Sequence, residues 1–336
     1  MKQNQVIGYA ALVINISTSK IRKEMTLLMA LLKVNDLKVH FPIKGGFFGR
    51  TLDYVHAVDG VSFELQPGET YGIVGESGSG KSTTGKAIMH LTKATGGSIV
   101  FNNKDLTKLS RSELREQRKN IQMIFQDPYS SLNPKKRVLD IIAEPLRNFE
   151  KLSPDEERRI VQKYLEKVGL NPESIYKYPH EFSGGQRQRI GIARALTLKP
   201  KLIIADEPVS ALDVSVQAQV LNFLQDLQAE LGLTYLFISH DLGVIRHMCN
   251  RIGVMYRGRL VEEATSAEIY NNPQHIYTKR LIAAIPDIRP ENRKQKSTLR
   301  RQVQEEYEQS HKNYFNENGR AYDLKPISPT HRVALP

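Results

Sequence analysis

The chain has 336 residues, 40% of them apolar, and 48 Lys and Arg against 36 Asp and Glu give it a net charge of +12 and a pI near 9.5. That length holds one large domain with extensions or two average ones, and no apolar run approaches the roughly 18 residues of a membrane span. The single cysteine, Cys249, excludes an internal disulfide, a cysteine-based zinc knuckle and an all-cysteine iron–sulfur cluster, while the positive charge suits nucleic acid, an anionic membrane surface or an acidic partner protein without choosing among them.

Residues 1–28 are polar and charged around a short apolar patch and lack the small-residue cleavage site of a secretory signal. With further methionines at Met25 and Met29, they read as a disordered arm or as a start assigned too early. Loose alternation over residues 31–41 predicts a half-buried strand. Residues 43–54, rich in glycine and aromatics, read as a loop. Residues 58–65 predict a second strand, closed by a Pro67-Gly68 turn, and residues 98–101 another, so the amino-terminal part is a small β layer.

The apolar run 71–74 delivers the chain to Gly75-Glu76-Ser77-Gly78-Ser79-Gly80-Lys81-Ser82, with Thr83 behind it, and a helix follows with Ala87, Ile88 and Leu91 on one face. Strand, glycine loop and helix in this order match G-x-x-x-x-G-K-[ST]. Backbone N–H groups of such a loop cradle phosphates, Lys81 reaches the β/γ oxygens and the Ser82 hydroxyl ligates Mg²⁺. The helix start adds a favourable dipole.

A short apolar run, 121–125, ends at Gln126. A helical insertion follows over residues 135–182, with helices expected at 138–149 and 154–168. The second has a capping box at Ser153-Pro154-Asp155-Glu156 and a glycine stop at Gly169. Ser183-Gly184-Gly185-Gln186 opens another helix, with Ile190, Ala193 and Leu196 on one face. Residues 202–205 form a continuous apolar strand ending in Asp206-Glu207. The amphipathic stretch 215–231 stops at Gly232, and the strand 235–238 leads to His240. Cys249 shares a helical face with Leu242, Ile245 and Met248, the place of a small buried residue. Residues 251–263 read as a hairpin around Arg257-Gly258, and from Asp287 onward charge dominates, which marks an extension outside the core.

Four parallel-type strands thus end in something polar: the glycine loop, Gln126, Asp206-Glu207 and His240. Ligands of open α/β sheets bind outside the carboxyl ends of the strands, so these groups are expected around one crevice. There Asp206 can hold Mg²⁺ and Glu207 can polarise an attacking water as general base. His240 can hydrogen-bond the γ-phosphate or that water, and Gln126 can touch Mg²⁺. The helix start at Ser183, Gly184, Gly185 and Gln186 is a second anion site. The helical insertion separates it from the phosphate loop, and a second chain docked head to tail would bring the two together.

In this order the set resembles the nucleotide-binding subunit of ATP-binding-cassette (ABC) transporters, over residues 31–286. Gly75 to Ser82 match the phosphate loop, Gln126 the Q-loop and Phe182-Ser183-Gly184-Gly185-Gln186 the signature, with Phe182 where leucine is usual. Residues 202–207 match the second acidic motif, Ser210-Ala211-Leu212-Asp213 the D-loop and His240 the switch histidine. Tyr54, with Phe47 and Phe48 behind it, is the nearest match to the adenine-stacking aromatic. Lys38-Val39-His40-Phe41-Pro42, Ala57 to Phe63, Gln126-Asp127-Pro128 with Ser131-Leu132-Asn133-Pro134, and residues 273–281 with His275 and Tyr277-Thr278 look like the oligopeptide and dipeptide importers, and like their F-type ATPase subunit. The absence of a carboxyl-terminal cysteine cluster, present in some relatives, favours that type.

The resemblance implies an α/β P-loop NTPase with a mixed central sheet, an N-terminal antiparallel β subdomain and an α-helical subdomain inserted at about 127–183. The ATPase domain would span 29–286, with an importer-type extension at 287–336. It further implies ATP and Mg²⁺, a heterodimer with a second ABC ATPase, two transmembrane permeases, an extracytoplasmic peptide-binding protein and a peripheral place on the cytoplasmic face of the membrane. Two ATPs would join two such subunits, and hydrolysis would let them part. A cassette energising transport of a metal, drug or other solute is an alternative. A soluble cassette acting on nucleic acid or ribosomes is another, but the coiled coil, zinc-binding cysteines or tandem cassette of those relatives are missing here.

Overall fold

The computed structural model describes residues 30–45, 50–127, 131–285, 293–317 and 319–336. The readings of residues 1–28, Phe47, Phe48 and Pro128 lie outside these. Strands β1 (Leu32–Gly45), β2 (Arg50–Leu65), β4 (Gly96–Phe101) and β5 (Lys104–Asp105) form a four-stranded sheet in the order β2-β1-β4-β5, all antiparallel. The segment read as a loop at 43–54 is instead mostly strand: Ile43 pairs with Asp53, Lys44 with Thr51 and Gly45 with Arg50. Ile43, Thr51, Tyr54 and Val55 have strand-forming side chains, and the two arms satisfy each other's backbone groups, a pairing that no local pattern reveals.

The second sheet is built on β3 (Thr70–Val74), β6 (Ile121–Ile124), β7 (Leu202–Asp206), β8 (Thr234–Ser239), β9 (Arg251–Tyr256) and β10 (Arg259–Thr265). Two short strands, β11 (Leu324–Pro326) and β12 (Arg332–Ala334), complete the order β11-β12-β10-β9-β3-β8-β7-β6. The pairs β6–β7, β7–β8, β3–β8 and β3–β9 are parallel, and the rest antiparallel. Strands β3, β7 and β8 are buried at every residue, as expected of parallel strands covered on both faces. Alternate residues of β8 serve different cores. Leu236 and Ile238 pack with Val34, Phe63 and Ile99 of the antiparallel sheet, whereas Tyr235 and Phe237 join Val220, Leu224 and Ile245 on the helical side.

The helices are α1 (Lys81–Ile88), α2 (Arg111–Gln117), α3 (Val138–Phe149), α4 (Pro154–Lys167), α5 (Gly184–Leu196), α6 (Val214–Leu231), α7 (Leu242–Met248), α8 (Ser266–Asn271), α9 (Ile276–Ala283) and α10 (Arg293–Ser310). Helix α1 stops earlier than its apolar spacing predicts: His90 takes a left-handed φ of 53°, and Leu91 is exposed. Helices α3 to α5 form the inserted layer, with the Ser153–Glu156 box made reciprocally and Gly169 at φ 67° beyond α4. Cys249 is buried as expected, and burial pushes its thiol pKa up.

The expectation that residues after Asp287 lie outside the core is corrected. Tyr307 of α10 is buried in the helical-side core, and α9 and α10 pack together. Strand β12 adds to β10, with Val333 and Ala334 fully buried. His331 Nε2 lies 2.7 Å from Glu262 Oε1, and Arg332 Nη1 donates to Glu263 Oε2 at 3.0 Å. A three-residue strand is too short to show periodicity among charged neighbours, and those charges find partners in two buried glutamates. No described helix is long and apolar enough to cross a membrane.

Candidate active site

Parallel register brings the polar strand ends together. Val74 stands opposite Ser239, Ile238 opposite Asp206 and Ala205 opposite Ile124. Outside these ends lies a cleft of about 540 Å³ lined by Gly75, Glu76, Ser77, Gly78, Gly80, Lys81, Ser82, Thr83, Gln126, Glu207 and His240, with Ala57 and Leu281. The four motifs separated in sequence therefore share one space. Ser79 is buried behind the loop, with its Oγ 3.5 Å from Lys81 Nζ.

Glycine is required at two points of the loop. A Cβ on Gly75 would stand 2.1 Å from the Met255 carbonyl oxygen, and one on Gly80 2.1 Å from that of Ala57, where φ is also +105°. Gly80 is the N-cap of α1 and offers no side chain to cap it, so the helix start is left with N–H groups available to an anion. Lys81, almost wholly buried, donates from Nζ to the carbonyls of Gly75 (2.7 Å) and Glu76 (2.8 Å). Burial lowers its pKa, against the pull of Glu207 and Asp206.

Ser82 Oγ donates to Asp206 Oδ1 at 2.7 Å. Asp206 is buried, which raises its pKa, and the Ser82 hydroxyl and Lys86 work in the opposite direction. A desolvated carboxylate beside a hydroxyl is a hard-oxygen set of the kind Mg²⁺ takes, so the residues fit the ion. Glu207 is held from both sides: Gln126 Nε2 donates to its Oε2 at 2.9 Å, and His240 Nδ1 lies 3.0 Å from its Oε1. Gln126 thus rests on Glu207, not on the Ser82–Asp206 pair. The Glu207 backbone has φ 48°, with its N–H bonded to the Ile238 carbonyl at 2.9 Å. A left-handed glutamate is strained, and such strain concentrates at functional sites.

The signature residues lie elsewhere. Ser183 caps α5, its Oγ accepting from the Gln186 N–H at 3.3 Å while Gln186 Oε1 accepts from the Ser183 N–H at 3.0 Å. Gly185 packs against α6, where a Cβ would meet Val216 at 2.3 Å. Neither these residues nor Gly184 line the cleft. Between the cleft and α6, Ser210 Oγ donates to the Glu207 carbonyl at 3.1 Å, Ala211 and Leu212 follow, and Asp213 caps α6. Tyr54 is half exposed on β2, opposite Pro42, and is not among the cleft-lining residues. Sequence reasoning gave no cleft role to Leu281, nor to Tyr277 and Arg280, which both bond to Glu76. The block 273–281 was singled out only as a family likeness.

A phosphate loop, an acidic pair and a histidine gathered at parallel strand ends define a P-loop ATPase. The ABC transporter family matches residues 58–210, and the oligopeptide/dipeptide transporter C-terminal region matches residues 261–318. The oligopeptide transport ATP-binding protein OppF of Lactococcus lactis subsp. lactis is 51% identical over 306 residues, 91% of this chain and 96% of that one. The glutathione import ATP-binding protein GsiA of Escherichia coli O157:H7 is 47% identical over 306 residues, 91% of this chain and 48% of that one. A solved dimeric ATP-binding cassette in a post-hydrolysis state, bound to ADP and Pi, matches with TM-score 0.62 and 30% identity over 70% of this chain and 98% of that one. The chain belongs to the ABC transporter family, among the ATP-binding subunits of oligopeptide importers.

Proposed function

We propose that this chain binds and hydrolyses ATP on the cytoplasmic face of the membrane and couples that hydrolysis to uptake of oligopeptides or dipeptides. The observation that carries the site reading is Glu207 clamped between Gln126 and His240 in the cleft that Lys81 and Ser82 also line, with Asp206 buried behind it and bonded to Ser82. Glycine-loop N–H groups and Lys81 bind the phosphates, and Tyr54 is the candidate platform for the base. Ser82 and Asp206 would hold Mg²⁺, which when bound offsets phosphate charge.

Glu207 is the general base. Both of its oxygens have a partner, and losing one of the two bonds frees a further lone pair for a proton from water. A γ-phosphate that attracts His240 would open the bond on one side while Gln126 keeps the carboxylate aimed. ATP binding and base release are thereby linked.

Ser183, Gly184, Gly185 and Gln186 complete the site of a partner cassette docked head to tail, and Ser210 to Asp213 lie at that junction. The partners are a second ABC ATPase, two permeases and an extracytoplasmic peptide-binding protein. An importer of a peptide as short as glutathione is the second reading, favoured by the GsiA relative. Affinity purification of the full chain from membranes tests both. Permeases together with a protein that binds longer peptides support the first, a glutathione-binding protein the second, and ribosomes or nucleic acid in place of permeases would overturn both.

A further inference from the structure

We propose that Tyr277 and Arg280 of α9 are positioning residues for the phosphate loop, so that the carboxyl-terminal region tunes ATP affinity through Glu76. This rests on the reading of the cleft as an ATP site. Each polar group of Glu76 has a partner. Its N–H donates to Tyr277 Oη at 3.0 Å, its carbonyl accepts from Lys81 Nζ at 2.8 Å, and its Oε1 accepts from Arg280 Nη2 at 2.6 Å. The carbonyl also accepts from the Ser79 N–H at 3.2 Å, so two bonds stay within the phosphate loop, one of them to the phosphate-binding lysine, and two face α9.

Those two contacts are themselves braced. Tyr277 is fully buried, its ring centroid 4.6 Å from that of Tyr256. The Arg280 guanidinium lies 4.2 Å from the ring centroid of Tyr307 on α10 and 5.3 Å from that of Tyr277. Glu76 also lines a second cavity of about 780 Å³, together with Arg280, Tyr256 and Tyr307. Glu76 borders both spaces.

The charge argument is direct. A carboxylate at the second position of a loop that receives a polyanion opposes binding, and Arg280 cancels it. The cation–π contact with Tyr307 holds the guanidinium in place for that task. Removing Arg280 leaves the negative charge of Glu76 beside the incoming phosphates, and removing both charges leaves neither cost nor compensation.

Calorimetric titration of the full chain with ATP and Mg²⁺ tests this. Arg280→Ala is expected to weaken binding about fivefold at low ionic strength, and less in high salt. In the Glu76→Gln/Arg280→Ala double variant, affinity is expected to return to within about twofold of wild type, since the opposed charge is gone. Tyr277→Phe keeps the ring and removes the acceptor, and about a threefold loss is expected. In steady-state hydrolysis Arg280→Ala should raise KM and leave kcat unchanged. An Arg280→Ala chain that binds like wild type, or a double variant no better than the single one, would overturn the proposal. A wild-type chain that takes up no ATP would instead overturn the reading of the cleft itself.

Discussion

Helices α1 and α5 both begin on glycine-rich turns, yet their first N–H groups are treated in opposite ways. At α1 the N-cap is Gly80, with no side chain to offer, and the turn opens on the cleft. At α5 the N-cap is Ser183, whose hydroxyl and the Gln186 amide satisfy each other's backbone reciprocally. An anion arriving at the first displaces no protein bond at the cap. At the second it competes with a finished capping box. The first start is therefore suited to a ligand the chain keeps, and the second to a contact made only when a partner supplies enough attraction. The start of α9 follows a third way, with a buried imidazole, His275 Nδ1, accepting from the Tyr277 N–H at 3.2 Å.

The largest effect that would sharpen this comparison is on chemistry at the open start. Glu207→Gln is expected to lower phosphate release roughly 10²–10⁴-fold while equilibrium ATP binding persists. Wild-type turnover in that variant, assembled with its partners, removes Glu207 from the mechanism. Lys81→Ala should cost about 2 kcal/mol of ATP affinity, in the range of charge-assisted hydrogen bonds. Unchanged binding would make the bonds of Lys81 to Gly75 and Glu76 purely structural.

His275 separates cap chemistry from ligand chemistry. Burial pushes its pKa down to about 3, against about 6.5 for a free histidine. The stability gained by keeping it neutral is complete above the unfolded value and is lost as pH falls toward the folded one. Urea unfolding should show wild type losing about 2 kcal/mol relative to His275→Asn between about pH 7 and about pH 5. Equal slopes would contradict this burial effect. The smallest effect is at the closed start. Ser183→Ala should cost about 1 kcal/mol of folding stability and leave ATP affinity of the single chain unaltered. A fall in that affinity would break the distinction between the two helix starts.

Strands β3, β7 and β8 were legible because each is a continuous apolar run ending in a polar group, and parallel burial on two faces writes that pattern. The capping box at Ser153 was legible because it is made within four residues, whereas at Ser183 the helix start was legible but not the reciprocal Ser183–Gln186 box that closes it. What pairs at a distance was not. Strands β1 and β2 stabilise each other by pairing rather than by local pattern, and β12 is three residues attached to a glutamate-bearing strand. Gln126 reaches Glu207 across 81 residues and Tyr277 reaches Glu76 across 201. The motifs identified the members of the site, but which carboxylate Gln126 would choose depends on the register of β6 against β7.

The left-handed backbone at Glu207 has a consequence for anyone selecting variants of this chain. Glycine or asparagine tolerates that conformation with less penalty, so a heat-tolerance screen blind to turnover is expected to enrich them at position 207. The survivors would be sturdier and inert, and robustness at this one residue would be a warning sign in a library.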